Sequence, residues 1–352
     1  MFFGGSIKLA KKDIKSISYE ELSDWIQKNN YKKFRADQIF SWLHEKNVVS
    51  FGQMKNVSKQ IIQQLNTEFY INNIKIQKKL VSSIDDTVKY LCMLEDGECI
   101  ESVVMEYAFG KTICISSQVG CKMGCSFCAS GKAGYIRNLT TSEMLDQLYI
   151  SQRDLNCSIG NIVLMGIGEP LDNYDNFIKF VKNVSDPKGR NLGLRHITVS
   201  TCGLVDKIDR LANENIPINL SISLHAPNDM IRKSIMPIAK KWSIDQLLSA
   251  CRRYIEKTNR RITFEYACID SVNVLDKHAI ELAGRLKGML CHVNLIPVNS
   301  ISEESFKETE NIQLNRFFDI LKNKRIPVTI RRTLGQDINA SCGQLRGNYL
   351  DV

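Results

Sequence analysis

No uncharged apolar run in this 352-residue chain approaches the length of a membrane span, and its first residues, Met1-Phe-Phe-Gly-Gly-Ser6, lack the apolar stretch of a signal peptide. The expectation is a soluble, cytoplasmic protein with no membrane partner. No internal repeat and no low-complexity segment is present. Histidine is scarce, with 5 in the chain, and those nearest the densest cysteine group are His44 and His196. Cysteine, by contrast, is plentiful. Twelve irregularly spaced cysteines in a chain this long fit reduced thiols in a cytoplasm better than a secreted disulfide framework. With 43% hydrophobic residues the chain can bury a full core, enough for one large domain and a smaller one.

Three of the cysteines, Cys121, Cys125 and Cys128, form a C-x3-C-x2-C group in the run Gly120-Cys-Lys-Met-Gly-Cys-Ser-Phe-Cys-Ala129. Three thiolates are one short of a filled tetrahedral zinc site, and no histidine lies near enough in sequence to complete it. The spacing points first to a [4Fe–4S] cluster whose fourth iron is open to a small molecule. Zinc with a remote fourth ligand, and chance spacing among many buried thiols, are the other readings of the triplet alone. Thr112-Ile-Cys-Ile-Ser-Ser117 reads as a β-branched strand entering the cysteine loop, and Thr140-Thr-Ser-Glu143 as the cap of the next helix. A ligand loop at the carboxyl end of a first strand is where an α/β barrel carries its chemistry.

The formal charge is +9, which favours an anionic partner. Residues 1–90 hold 15 Lys and Arg against 9 Asp and Glu, a net +6, so two thirds of the excess lies in the first quarter of the chain. Lys11, Lys12, Lys32, Lys33 and Arg35 are the densest group, as in a module that grips phosphates; a solvated helix face is the competing reading.

Apolar residues recur every three to four positions over 18–28, 35–46 and 58–68, which predicts three helices and a small helical accessory domain over 1–73. Short strands with turn signals at Asp85-Asp86 and Asp96-Gly97 come next, over 74–106, an antiparallel meander joining the two parts. From 107 to 352, strand-like runs at 112–117, 161–165, 195–200, 217–224, 262–267, 291–296 and 327–331 alternate with helical ones, which predicts parallel βα units in a full or partial barrel. In Ile218-Asn-Leu-Ser-Ile-Ser-Leu224 the inward positions are Asn219, Ser221 and Ser223. A barrel interior is normally filled by branched apolar residues, so a polar lining suggests a ligand cavity.

The strings Phe34-Arg-Ala-Asp-Gln38, Ile115-Ser-Ser-Gln-Val-Gly-Cys121, Met165-Gly-Ile-Gly-Glu-Pro170, Ile222-Ser-Leu-His-Ala-Pro-Asn228, His292-Val-Asn-Leu-Ile-Pro297 and Asp337-Ile-Asn-Ala-Ser-Cys-Gly-Gln-Leu345 resemble, in order and almost end to end, the radical S-adenosylmethionine (SAM) RNA methyltransferases of the RlmN/Cfr family. The resemblance implies an α/β fold, a partial (β/α)6-type radical SAM barrel with a small N-terminal helical accessory domain. It assigns Cys121, Cys125 and Cys128 to a [4Fe–4S] cluster, with SAM on the open iron. Gly168, Glu169, Ser200, Ser223, Leu224, His225 and Asn299 match SAM contacts. Cys342 matches a methyl-accepting cysteine, Cys114 a resolving cysteine and Glu101 an acid/base.

The activity implied by the resemblance is methylation of adenine C2 in 23S rRNA and tRNA, with two SAM molecules per turnover, in a monomer. A low-potential electron donor such as flavodoxin or ferredoxin would feed it, and a thiol reductant would reset a Cys114–Cys342 disulfide. Gly168-Glu-Pro170, Ile296-Pro297 and Arg331-Arg-Thr333 resemble the C2 enzymes; C8 methylation, the antibiotic-resistance activity, is the alternative within the family. From another class, a non-catalytic iron–sulfur or zinc RNA-binding protein requires the polar lining, Cys114 and Cys342 all to be accidental.

Overall fold

The computed structural model describes residues 11–132, 134–297 and 311–340; Cys342 and Asn299 lie outside the described residues. One ten-stranded mixed sheet organises the chain. Its strands are β1 (Lys75–Val81), β2 (Val88–Met93), β3 (Cys99–Tyr107), β4 (Gly110–Cys114), β5 (Asn161–Leu164), β6 (Ile197–Thr201), β7 (Asn219–Ser223), β8 (Ile262–Cys268), β9 (Cys291–Pro297) and β10 (Val328–Ile330), and they neighbour one another in chain order. From β4 onward every pairing is parallel. This is the α/β barrel expected, open between its first and last strands rather than closed.

The meander over 74–106 does more than join two parts. β1, β2 and β3 pair antiparallel in succession, and β3 pairs antiparallel with β4, so they extend the barrel sheet itself. Their turns carry the predicted signals, with Asp86 at φ 56° and Gly97 at φ 87°, where a left-handed residue closes a tight hairpin. β2 and most of β3 are buried, which a joining ribbon with a wet face would not be.

Helices α1 (Tyr19–Lys28), α2 (Phe34–His44) and α3 (Lys59–Glu68) form the N-terminal bundle. α1 starts at a Ser18 capping box closed by Glu21, and Ser58 caps α3. Leu22, Ile26, Ile39, Phe40, Leu43, Ile61 and Leu65 meet in a core separate from the barrel's. The bundle is fastened to α5 (Thr141–Leu155), a helix with both faces covered, and to α6 (Tyr174–Ser185). Lys15 and Asp146, each about 2% exposed, form an ion pair there, and Asn72 donates to the same carboxylate at 3.0 Å. The Ser142 N–H reaches Ser16 at 3.1 Å, the Asn183 amide reaches the Ile17 carbonyl at 2.9 Å, and His44 Nδ1 lies 2.9 Å from the Tyr149 hydroxyl.

A buried pair of this kind is costly to break because the survivor is an uncompensated charge, worth about 3–5 kcal/mol. Lys15→Met should therefore lower unfolding stability by about that amount in chemical denaturation, with Lys15→Met/Asp146→Leu recovering most of it. Equal stability of wild type and Lys15→Met would mean that the pair does not fasten the bundle.

Candidate active site

The strand ends of the barrel enclose a cavity of about 400 Å³ on its carboxyl side. That is the size of ordinary small-molecule sites. Cys121, Cys125 and Cys128 all line it, from the loop after β4, together with Glu101, Cys114, Gly168, Glu169, Ser200, Ser223 and His225. Ten of the residues singled out from sequence thus share one wall. Leu224 does not: it is 1% exposed, turned into the core between Ser223 and His225, and its N–H is taken by the Glu265 carbonyl at 3.1 Å. The strand's alternation places it there.

The cysteine loop is pinned on three sides. The Ser126 N–H bonds the Ile235 carbonyl at 3.0 Å, at the end of α8 (Asp229–Ile235), and the Cys121 N–H bonds the Gly134 carbonyl at 3.1 Å. Just upstream, the Ser116 hydroxyl donates to the Glu101 carbonyl at 2.6 Å and accepts the Ile167 N–H at 3.0 Å, while Gln147 of α5 holds both backbone groups of Ser116. Gly166 and Gly168 let the loop after β5 lie directly on this segment: a Cβ at Gly166 would sit 2.6 Å from the Ile115 carbonyl, and one at Gly168 2.6 Å from Gln118 Cβ. Gly168 also has φ +106°, which L side chains rarely adopt.

Glu169 is 4% exposed, and its carboxylate accepts the Cys202 N–H at 2.7 Å and the Leu171 N–H at 3.0 Å. Burial raises its pKa against the pull of those hydrogen bonds. It ties the ends of β5 and β6 together. Arg232, fully buried on α8, does the same for β6 and β7, donating to the carbonyls of Cys202 at 2.6 Å and Leu224 at 3.2 Å. His225 has φ 56°, accepts the Ala267 N–H at Nδ1 over 2.9 Å and packs edge-on to Phe127. Burial, reinforced by the Arg232 charge, lowers its pKa to about 3, so it is neutral and serves as an acceptor at physiological pH. The inward polar row continues as Ser221 donates to Glu265 Oε1 at 2.7 Å and Asn294 to Oε2 at 2.8 Å.

Sequence reasoning passed over Glu265, although a carboxylate at an inward position of Ile262-Thr-Phe-Glu-Tyr-Ala-Cys268 was a visible signal. It also passed over Lys89. This lysine is fully buried, its Nζ lies 3.0 Å from Glu101 Oε2, and it donates to the Asn339 carbonyl at 2.9 Å. Glu101 itself is 3% exposed, not the exposed strand carboxylate that would have made it inert. Ala340 lines the cavity too, and Cys342 is two residues further along the chain, within about 7 Å of reach even if fully extended.

Several relatives match nearly the whole chain. Residues 115–283 match the Radical SAM superfamily and residues 12–71 the Ribosomal RNA large subunit methyltransferase N-terminal domain. A protein of Alkaliphilus metalliredigens named "Probable dual-specificity RNA methyltransferase RlmN" is 53% identical over 341 residues, 97% of each chain. Its namesake in Alkaliphilus oremlandii is 54% identical over 342 residues, 97% of this chain and 99% of that one. The chain belongs to the RlmN family of dual-specificity radical SAM RNA methyltransferases. A solved radical SAM methyltransferase from Sphaerobacter thermophilus superposes with a TM-score of 0.90 at 41% identity, covering 95% of this chain and 98% of that one.

Membership of this family implies a [4Fe–4S] cluster and SAM. The donor set suits the cluster. Burial, with a smaller contribution from charge on Cys128, raises the pKa of Cys121 to about 11 and of Cys125 to about 12, so a trio of bare thiolates is disfavoured until cationic metal neutralises it. Among the described residues, no group of three or more His, Cys, Asp or Glu is arranged to hold a single metal ion.

On the RlmN-type N-terminal bundle, Lys11, Lys12, Lys32 and Lys33 are exposed; Phe34 is 45% exposed with the Arg35 guanidinium 4.8 Å over its ring. No helix of the described residues is long and apolar enough to cross a membrane.

Gly168→Ala should weaken SAM binding about tenfold or more, the equivalent of about 1–3 kcal/mol of backbone strain, while iron content is unchanged. Equilibrium dialysis against labelled SAM reads the first and iron analysis the second. Unaltered affinity would show that the close approach at Gly168 does not shape the SAM site.

Proposed function

We propose that this chain methylates C2 of adenine in 23S rRNA and in tRNA through a methyl group carried on Cys342. The observation that carries the reading is that Cys114, Glu101 and the three cluster cysteines share one cavity with Ala340, the described residue nearest Cys342. C2 of adenine is an electron-poor carbon between two ring nitrogens and has no lone pair to attack a sulfonium methyl. A radical route is therefore needed.

In this reading Cys121, Cys125 and Cys128 hold the cluster, and residues at the ends of β5 to β7, with Asn299, hold SAM. Cys342, as thiolate, displaces the methyl of a first SAM, forming a thioether and releasing S-adenosylhomocysteine. A second SAM is split into methionine and a 5′-deoxyadenosyl radical by one electron, which a cluster held by those three cysteines would supply when bound. That radical takes a hydrogen atom from the methyl on Cys342, and the carbon radical left behind adds to C2. The C2 proton of the adduct passes to Glu101, and the cluster held by Cys121, Cys125 and Cys128 would take back the one electron that rearomatisation releases.

Cys114 then attacks the Cys342 sulfur: a disulfide forms, the S–CH2 bond breaks, and the departing carbon takes up a proton to become the methyl group. Burial raises the pKa of Cys114 to about 11, outweighing the downward pull of Arg331, the Met165 backbone hydrogen bond and Lys89, so the thiolate this step needs is favoured by those groups against the burial. An external thiol reduces the disulfide, and a flavodoxin or ferredoxin supplies the low-potential electron. The basic face around Lys32, Lys33 and Arg35 grips RNA phosphates, with Phe34 available to stack.

The two sulfur roles separate cleanly by mutation. Cys114→Ala should accumulate RNA covalently attached through Cys342, seen as an RNase-sensitive shift on denaturing gels of protein purified from cells, whereas Cys342→Ala should show none. A shift with Cys342→Ala, or none with Cys114→Ala despite an intact cluster, would overturn the assignment.

A further inference from the structure

The hairpin joining β1 and β2 clasps the chain that leads to Cys342. Ser82 donates to Asp337 Oδ1 at 2.7 Å, and the Ser83 N–H and hydroxyl donate to Oδ2 at 2.8 and 3.0 Å. The Gly335 N–H donates to Asp85 Oδ2 at 2.8 Å. At the inner end of the same hairpin stands Lys89. Its ammonium joins two things that no sequence element links: the Glu101 carboxylate, 3.0 Å away on the neighbouring strand, and the Asn339 carbonyl, 2.9 Å away and three residues before Cys342. Burying a lysine and a carboxylate together is costly, and an apolar pair in place of Lys89 and Glu101 would commonly be neutral or better for stability. Unlike Lys15, whose partner Asp146 fastens two parts of the fold, Lys89 pairs with a carboxylate that lines the cavity.

We propose that Lys89 is a positioning residue that couples the two halves of the reaction, orienting the Glu101 carboxylate while fixing the approach of the chain that leads to Cys342. This rests on the reading of Glu101 as the proton acceptor and Cys342 as the methyl carrier. The charged and titratable groups around Glu101 are Lys89 from β2, Cys114 from β4, and, lining the same cavity, Glu265 from β8 with Arg331 and Arg332 after β10. Of these, Lys89 is paired with it directly. Without its cation a buried carboxylate keeps its proton to higher pH, so a base at this position is disarmed at neutral pH and recovers as pH rises. A carbonyl that loses its ammonium donor frees the segment after Asp337, which slows methylation of Cys342 as a separate effect.

The test compares Lys89→Met, Lys89→Arg and Glu101→Gln in reconstituted protein of full iron content. Lys89→Met should lower RNA methylation at neutral pH about 10²-fold, the usual worth of a positioned acid or base, and move the acidic limb of the pH–rate profile upward. It should also slow incorporation of label from methyl-labelled SAM into Cys342. Lys89→Arg should restore the profile, since it returns the cation. Because Lys89→Met takes a cation away from beside a buried carboxylate, Lys89→Met/Glu101→Gln serves as the variant without that charge; it should fold, and it should still label Cys342 slowly.

Lys89→Met with an unshifted limb and normal labelling would overturn the proposal, as would a double variant that labels Cys342 at the rate of Glu101→Gln. Should Glu101→Gln methylate RNA normally, the acid/base reading fails and takes the Glu101 half of the proposal with it. A loss with Glu101→Gln but no limb shift with Lys89→Met condemns the coupling alone.

Discussion

The site depends on β4 being shared. On one side it pairs antiparallel with β3, setting Cys114 against Val103; on the other it pairs parallel with β5, setting Cys114 against Val163. That strand therefore joins the antiparallel meander, with Glu101 and Lys89, to the parallel barrel, with its ligand-bearing strand ends. The cysteine loop leaves from its carboxyl end. A shift in register of one residue on either side would turn Cys114 to the other face of the sheet. Gly166 and Gly168 are the local requirement of the arrangement, since only a missing Cβ lets the loop after β5 lie against Ile115 and Gln118.

Around that junction the barrel interior is polar where packing alone would make it apolar. Ser221, Glu265 and Asn294 satisfy one another across β7, β8 and β9, and Glu169 and Arg232 direct their charges to backbone groups at strand ends. Asn294 is half-buried and the other four are buried, and all are hydrogen-bonded, so the wall is stiff without being filled. The result is a cavity whose walls are fixed before any ligand arrives. The helical bundle is joined to the barrel through α5, α6 and the turn after α6, where Lys188 lies 3.2 Å from Asp37, so a largely polar seam rather than a shared core sets where the basic face lies relative to the cavity.

Much of this was legible in the chain. Alternating runs marked the strands of the barrel to within three residues at each end, the Ser18, Ser58 and Thr140 caps marked helix starts, and Asn219-Leu-Ser-Ile-Ser223 announced an inward polar face. The C-x3-C-x2-C group named the site without help. Less legible was anything that depends on pairing between distant strands. The meander read as a connector because its hairpins are local signals, whereas its antiparallel bond to β4 is not. For the same reason Glu101 stood out only through the family resemblance, as an acid/base, and Lys89 looked like nothing in particular. A lysine at 89 acquires meaning only beside a glutamate at 101 and a carbonyl at 339, 250 positions along the chain. Leu224 lies inside a matching string, and the strand's alternation turns its side chain to the core.

The central claim is that this cavity delivers a methyl group to one carbon of adenine in ribosomal RNA. Anaerobically reconstituted protein, supplied with SAM and a low-potential reductant, should be incubated with 23S rRNA lacking the modification, and the digested nucleosides resolved by mass spectrometry against authentic standards. The account predicts 2-methyladenosine, formed only when Cys342 and the cluster cysteines are intact. Accumulation of 8-methyladenosine instead, or 2-methyladenosine formed by Cys342→Ala protein, would contradict it.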